Sequence, residues 1–178
     1  YKYDQILYPE HISLEQSSSE KTAEYKASLL SGDTLVDLTG GLGVDFSFIS
    51  RNYTDATYVE KNEELANLAL TNFGVLGLTG YNVVIKSAEE YLQLMDMVNT
   101  IYIDPARRKQ TGAKAISIED CSPDLTEIGG LIDQKSKQAI IKLSPMLDIS
   151  QALKTLDFIN EVHVVSVNNE CTALLLLK

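Results

Sequence analysis

The sequence predicts an α/β fold built on a mostly parallel sheet, and three observations predict it. Short apolar runs of strand length alternate regularly with longer stretches whose apolar residues recur at helical spacing. Three of those runs stop on an acid, at Asp37, Glu60 and Asp104, and the first breaks at once into Thr39-Gly40-Gly41-Leu42-Gly43. The last two runs are joined by a turn too short for a crossover, so they pair antiparallel. A chain of 178 residues suffices for a single domain with a proper core.

Each element has a local reason. Residues 13–30 read as a polar helix, the body of an N-terminal helical segment over residues 1–30. Ser17 is its expected cap, Glu20 closes a capping box, and Gly32 ends it. Strand 34–38 follows, then a helix from Val44 with Phe46 and Ile49 inward. Strand 57–60 leads to helix 62–73, capped by Asn62, with Glu63 and Glu64 in its first turn. Leu65, Leu68, Ala69 and Phe73 form its inner stripe and Gly74 stops it. Strand 82–87, helix 88–97 and strand 100–104 come next, followed by a long loop over 105–121. Ser122-Pro123-Asp124 opens a helix, with proline expected at its first position and Leu125, Ile128, Leu131 and Ile132 facing inward. Strand 138–143, a helix near 149–157 with Asp148 and Gln151 as a cap pair, and strands 162–167 and 172–177 complete the chain.

Composition excludes several classes. The chain has no apolar run long enough for a membrane helix, and no signal peptide is expected in it. Its two cysteines, Cys121 and Cys171, suggest no disulfide framework and fit a reducing cytoplasm. His11 and His163 lack metal-ligand spacing, and no metal is expected. His163 falls in a strand and reads as a sheet histidine. The chain begins on Tyr1 rather than Met and is expected to be a piece of a longer protein. Its oligomeric state is not legible.

The glycine loop carries the first chemical signal. Glycine serves where the backbone takes positive φ or comes close to a ligand. The dinucleotide fingerprint G-x-G-x-x-G needs a third glycine, but Gly41-Leu42-Gly43-Val44-Asp45-Phe46 puts Phe46 there. Asp37 and Asp45 flank the loop, which suits a cationic or zwitterionic ligand better than a diphosphate on helix amides. Glu60 lies 60 − 37 = 23 positions after Asp37, about the distance at which a strand-end acid accepts hydrogen bonds from ribose hydroxyls.

An acid at a strand end followed by a Gly-x-Gly turn resembles motif I of the class I S-adenosylmethionine (SAM)-dependent methyltransferases. The resemblance implies SAM as cofactor, with Asp37 toward its ammonium side and Gly40, Gly41 and Gly43 beneath its methionine and ribose. It places Ser87, Ala88 and Glu89 beside the adenine. Thr39, Asp45, Lys61 and Pro105 complete the expected cofactor contacts, and Gln16 to Ser19 close over the methionine end. It also implies a seven-stranded Rossmann-like sheet, order 3-2-1-4-5-7-6, strand 7 reversed, with helices on both faces.

Many such enzymes carry Asp/Asn-Pro-Pro-aromatic after the fourth strand, where the aromatic stacks on a base. Here the stretch is Asp104-Pro105-Ala106-Arg107-Arg108, closer to the Asp-Pro-Pro-Arg variant of several RNA methyltransferases. The 5-methyluridine members of that group need a cysteine nucleophile, and Lys142-Leu143-Ser144-Pro145 supplies none. Cys121 lies among acids, which raise a thiol's pKa. Direct transfer is therefore expected, with Asp104 and Arg107 as catalytic residues and Asp104 taking the nucleophile's hydrogen bond or proton. Arg107, Arg108, Lys109 and Lys114 either hold a phosphate or form a solvated loop cluster.

Gln16-Ser17-Ser18-Ser19, the glycine loop, Asp104 to Arg108, Lys142 to Pro145 and Asn168-Asn169-Glu170-Cys171 occur together. That set resembles bacterial methyltransferases with a C-terminal THUMP-like domain, which implies an RNA substrate, ribosomal or transfer. The net charge of −10 opposes binding of a polyanion, so either flanking domains capture the RNA or the substrate is a small molecule. A non-catalytic scaffold on the same fold and a dinucleotide oxidoreductase are the rival readings.

Overall fold

The computed structural model describes residues 5–9, 17–107 and 117–178. The expectations for His11, Gln16, Arg108, Lys109 and Lys114 lie outside these residues, and of Arg107 only the backbone is described. Seven strands form the sheet: β1 (Thr34–Asp37), β2 (Asp55–Val59), β3 (Tyr81–Val84), β4 (Val98–Ile103), β5 (Ser136–Leu143), β6 (Glu161–Val167) and β7 (Glu170–Leu177). Their order is β3-β2-β1-β4-β5-β7-β6. Pairing is parallel from β3 through β5, and β7 runs antiparallel to both of its neighbours. This is the order and direction that the resemblance implies. The β6–β7 turn is tight because Asn168 and Asn169 both take positive φ, 53° and 66°.

Among the described residues six α-helices flank the sheet: α1 (Glu20–Ser28), α2 (Val44–Ile49), α3 (Glu63–Val75), α4 (Ala88–Leu94), α5 (Leu125–Lys135) and α6 (Ile149–Thr155). They cover two cores, one on each face. One joins β1, β4 and β5 to α4, α5 and α6 through residues such as Ile101, Ile103, Leu92, Ile128 and Ile132. The other packs α1, α2 and α3 through Phe46, Ile49, Phe73 and Tyr58. Among the described residues no helix is long and apolar enough to cross a membrane.

Two expected caps are corrected. Of the helix expected over 13–30, residues 13–16 lie outside the described residues; α1 runs Glu20–Ser28, and Ser19, not Ser17, accepts the Thr22 N–H. Pro123 is not the first residue of α5: Asp124 takes the cap by accepting the Thr126 N–H, and Pro123 precedes it. Asp beats proline here because it supplies an acceptor to a helix N–H that has no partner within the helix. Strand β3 ends at Val84 rather than 87, because Ser87 caps α4 in a capping box with Glu90. Gly74 does not stop α3, which runs through it to Val75. The Asn62 and Asp148 caps form as expected, Asp148 accepting from the N–H groups of Ser150 and Gln151. The Gln151 side chain reaches Ser117 instead of completing a box.

Candidate active site

The register of the central strands builds the site. Asp37 of β1 is level with Tyr58 of β2 and Tyr102 of β4. Chain therefore leaves all three strands along one edge, bringing Leu38-Thr39, Val59-Glu60 and Ile103-Asp104 side by side. Backbone bonds fasten these exits: Leu38 N–H to the Tyr102 carbonyl (3.0 Å) and Gly40 N–H to the Val59 carbonyl (2.8 Å). The Asp104 N–H donates to Thr39 Oγ1 at 2.6 Å. Between the exits lies a cleft of about 400 Å³, within the usual range of about 300–1,000 Å³ for small-molecule sites.

The glycine loop floors this cleft, and packing beneath it sets its sequence. A Cβ on Gly40 would lie 2.1 Å from Cε2 of Tyr58. That ring is fully buried between Phe46 and Phe73, centroids 5.5 and 5.3 Å away. The Tyr58 hydroxyl donates to the Gly41 carbonyl at 2.5 Å. At Gly43 the φ of +73° requires glycine, and a Cβ would also meet the Phe73 ring at 2.5 Å. The aromatic pad under the loop thus requires glycine at position 40, which also lines the cleft.

The three strand-end acids are placed differently. Asp37 is 1% exposed and accepts the Thr39 N–H at 3.0 Å. Burial, with Asp45, Asp104 and Glu60 nearby, holds its carboxyl well above the usual carboxylate range despite that bond. Glu60 accepts the Gly41 N–H (3.0 Å) with one oxygen and the Asn62 N–H (2.9 Å) with the other. A carboxylate has about four lone-pair sites, so Glu60 keeps acceptor capacity toward the cleft. Asp104 faces the cleft with its side chain 34% exposed and forms an ion pair with Lys142 of β5. Burial raises the Asp104 carboxyl, and Lys142 only partly offsets this. Asp104 and Asp45 hold Lys142 above the ordinary lysine value in spite of its own burial.

Of the remaining expected contacts, Thr39, Gly41, Gly43, Lys61 and Ala88 line the cleft, as do Glu89 and Ser18. Ser87 does not; its hydroxyl caps α4. Pro105 is buried behind the wall.

Asp45 lines the cleft, but its carboxylate is engaged by protein. Lys26 of α1 sits 2.5 Å from one oxygen, and the hydroxyls of Ser18 (2.9 Å) and Tyr102 (2.7 Å) donate to the other. The Lys26 ammonium also donates to Ser18 Oγ at 2.7 Å and is only 2% exposed. Burial lowers the Lys26 pKa, with Asp45 opposing. Burial tends to raise Asp45, yet Lys26, Lys142 and the Lys26 and Tyr102 hydrogen bonds outweigh it and hold it below the usual range. Lys26 and Tyr102 escape sequence reasoning. In Glu20-Lys21-Thr22-Ala23-Glu24-Tyr25-Lys26-Ala27, Lys26 looks like one more solvated helix charge. The one signal is the small-residue stripe Thr22, Ala23, Ala27 that surrounds it on the buried face.

No protein-family model matches the sequence, and no curated protein matches it. Solved structures do. A protein of Porphyromonas gingivalis W83 assigned as a methyltransferase superposes on 97% of the chain with TM-score 0.83 and 36% identity. The chain spans 43% of that protein. An rRNA methylase of Streptococcus thermophilus matches at TM-score 0.58 and 12% identity, over 88% of this chain and 92% of that one. The precorrin-6y C5,15-methyltransferase of Geobacter metallireducens GS-15 matches at TM-score 0.66 and 14% identity, over 93% and 90%. The chain has the Rossmann-like methyltransferase fold. In this fold the cleft lies at the carboxyl ends of β1, β2 and β4, where open α/β sheets bind their ligands.

Proposed function

We propose that this chain is the catalytic domain of a SAM-dependent methyltransferase that transfers a methyl group directly to RNA, ribosomal or transfer, in the cytoplasm. The observation that carries the SAM assignment is the acid-lined cleft: Asp37, Glu60 and Asp104 meet a glycine loop at one sheet edge. A pyrophosphate would meet carboxylates on every side there, whereas a sulfonium and an ammonium are matched by them. Glu60 has acceptor capacity left for ribose hydroxyls, and Ala88, Glu89, Asn62 and Leu65 form a mixed polar and apolar end for an adenine. Asp37 then acts through the loop, fixing the Thr39 N–H, and Asp45 through Ser18 and Lys26.

SAM, when bound, supplies an electrophilic methyl group. The residues orient the reactants and handle the proton, which is most of what an in-line displacement needs. Asp104 accepts the proton of the acceptor group, and Arg107 orients the acceptor. The RNA assignment leans on the Asp104-Pro105-Ala106-Arg107 sequence and on the methyltransferase likeness. With a net charge of −10, RNA capture falls to flanking domains such as a THUMP-like one. That same charge favours a second reading, a small uncharged acceptor. Full-length protein incubated with tritiated SAM and bulk RNA from a strain lacking it tests the assignment. Label in RNA supports it; SAM binding with label entering only small molecules favours the second reading, and SAM binding without any transfer favours a scaffold.

A further inference from the structure

A second cleft, of about 370 Å³ among the described residues, lies between the Ser17–Ser19 segment and the β6–β7 hairpin. It shares Ser17 and Ser18 with the first cleft. Two ion pairs straddle the partition between them. Asp45 and Asp104 line the first cleft, while their partners Lys26 and Lys142 line the second.

We propose that the second cleft is the acceptor subsite, and that Lys142 is the positioning residue that keeps Asp104 charged and aimed across the partition. The inference rests on the methyltransferase reading. The chemistry of the walls selects the ligand. Both ammonium groups are already neutralised by carboxylates, and Glu170 adds an acid, so an anionic group gains no free cation here. The Thr22 and Thr172 hydroxyls donate to the Ser19 and Val165 carbonyls and keep acceptor lone pairs, Asn168 adds an amide, and Val165, Val167 and Leu175 supply aliphatic wall. Such walls take an uncharged, amphipathic group that presents an N–H or O–H nucleophile.

The step balances without a further reactant. The acceptor's nitrogen or oxygen lone pair forms the new bond to the methyl carbon. The carbon–sulfur bond breaks with its electron pair remaining on sulfur. The acceptor's proton passes to the Asp104 carboxylate and from there to solvent. Asp104 must be ionised to receive it. Around it stand Lys142 from β5, Lys26 from α1, Asp45 from α2, and Asp37 and Tyr102 from the ends of β1 and β4. Among the described residues, Lys142 is the cation in direct contact with its carboxylate. Burial already pushes Asp104 up, so losing Lys142 pushes it further.

Two substitutions test this in the full-length protein, using S-adenosylhomocysteine as cofactor probe and bulk RNA or free ribonucleosides as acceptor probes. Thr172→Trp fills the second cleft from an exposed strand position that does not line the first. It is expected to leave cofactor-probe affinity within about twofold and to cut tritium transfer at least about tenfold, the pattern of lost acceptor binding. Lys142→Met is expected to keep cofactor-probe affinity and to move the acid limb of kcat upward by about one pH unit, worth about tenfold in rate below that limb. Lys142→Arg restores the limb, which a purely structural role would not do. Transfer to ribonucleosides identifies a free acceptor, and transfer to RNA alone a polymeric one. Wild-type transfer by Thr172→Trp, or an unmoved limb in Lys142→Met, overturns the proposal. Wild-type protein that binds the cofactor probe but neither retains nor methylates either acceptor probe overturns it while leaving the SAM site standing. Failure to bind the cofactor probe overturns the methyltransferase reading itself.

Discussion

Replacing Gly40 with alanine probes the packing that shapes the floor of the cleft. The new methyl carbon would sit 2.1 Å from Cε2 of Tyr58 and 2.4 Å from both Cδ2 and Cζ, far inside contact distance, so ring or loop must move. The ring has little room, since Phe46 and Phe73 hold it edge-on at 5.5 and 5.3 Å and its hydroxyl is tied to the Gly41 carbonyl. Overpacking of this kind costs about 1–3 kcal/mol, and breaking the hydroxyl bond adds about 0.5–1.5 kcal/mol. Together that is roughly 2–4 kcal/mol, which in a domain of this size lowers the melting temperature by about 5–15 °C. Gly41 is the control: its Cβ direction meets only the Thr39 carbonyl oxygen at 3.6 Å, and its φ is +54°. Alanine there carries only the left-handed backbone cost of about 1–2 kcal/mol. Calorimetric melting of both variants gives the comparison. A Gly40→Ala protein that melts within about 2 °C of wild type, or above Gly41→Ala, refutes the claim that Tyr58 is wedged under the loop.

Other consequences follow from the buried charges. Lys26→Met strands the Asp45 carboxylate and is expected to destabilise by about 3–5 kcal/mol in denaturant titration; adding Asp45→Asn recovers part of that loss. Asp37→Asn keeps an acceptor for the Thr39 N–H. A carboxyl whose folded pKa is raised gives stability that is present below its unfolded value and is lost as pH rises through its folded value. The asparagine variant is therefore expected to melt above wild type near neutrality, with the gap closing below about pH 4, and to lose cofactor affinity. Asp104→Asn is expected to lower methyl transfer about 10²–10⁴-fold at saturating cofactor. In wild type the rate should rise with pH through a value above that of an ordinary aspartate, because burial lifts this carboxyl.

Much of the fold is legible in the sequence because the sheet is written in short apolar runs with an acid or a turn at the end. The order of the elements, the terminal hairpin and the Asn62 and Asp148 caps all come from such local signals. Caps fail where two good candidates compete within a few residues, as with Ser17 against Ser19 and Pro123 against Asp124. The floor of the cleft is legible as glycines, but the reason for Gly40 is not, since Tyr58 lies 18 positions away and reads only as a strand residue. Lys26 and Lys142 are the clearest omissions. Their meaning lies in partners 19 and 38 positions distant, Asp45 and Asp104, and no periodicity announces a lysine that is buried by its counter-ion.

The central claim is that the acid-lined cleft binds SAM, and calorimetric titration of the protein with SAM, S-adenosylhomocysteine and NAD tests it most directly. The account predicts one saturable site for the two sulfur ligands and none for NAD. It also predicts at least about tenfold weaker binding in Glu60→Ala, a loss of roughly 1.4 kcal/mol. Saturable NAD binding without SAM, or SAM binding that Glu60→Ala leaves unchanged, contradicts it.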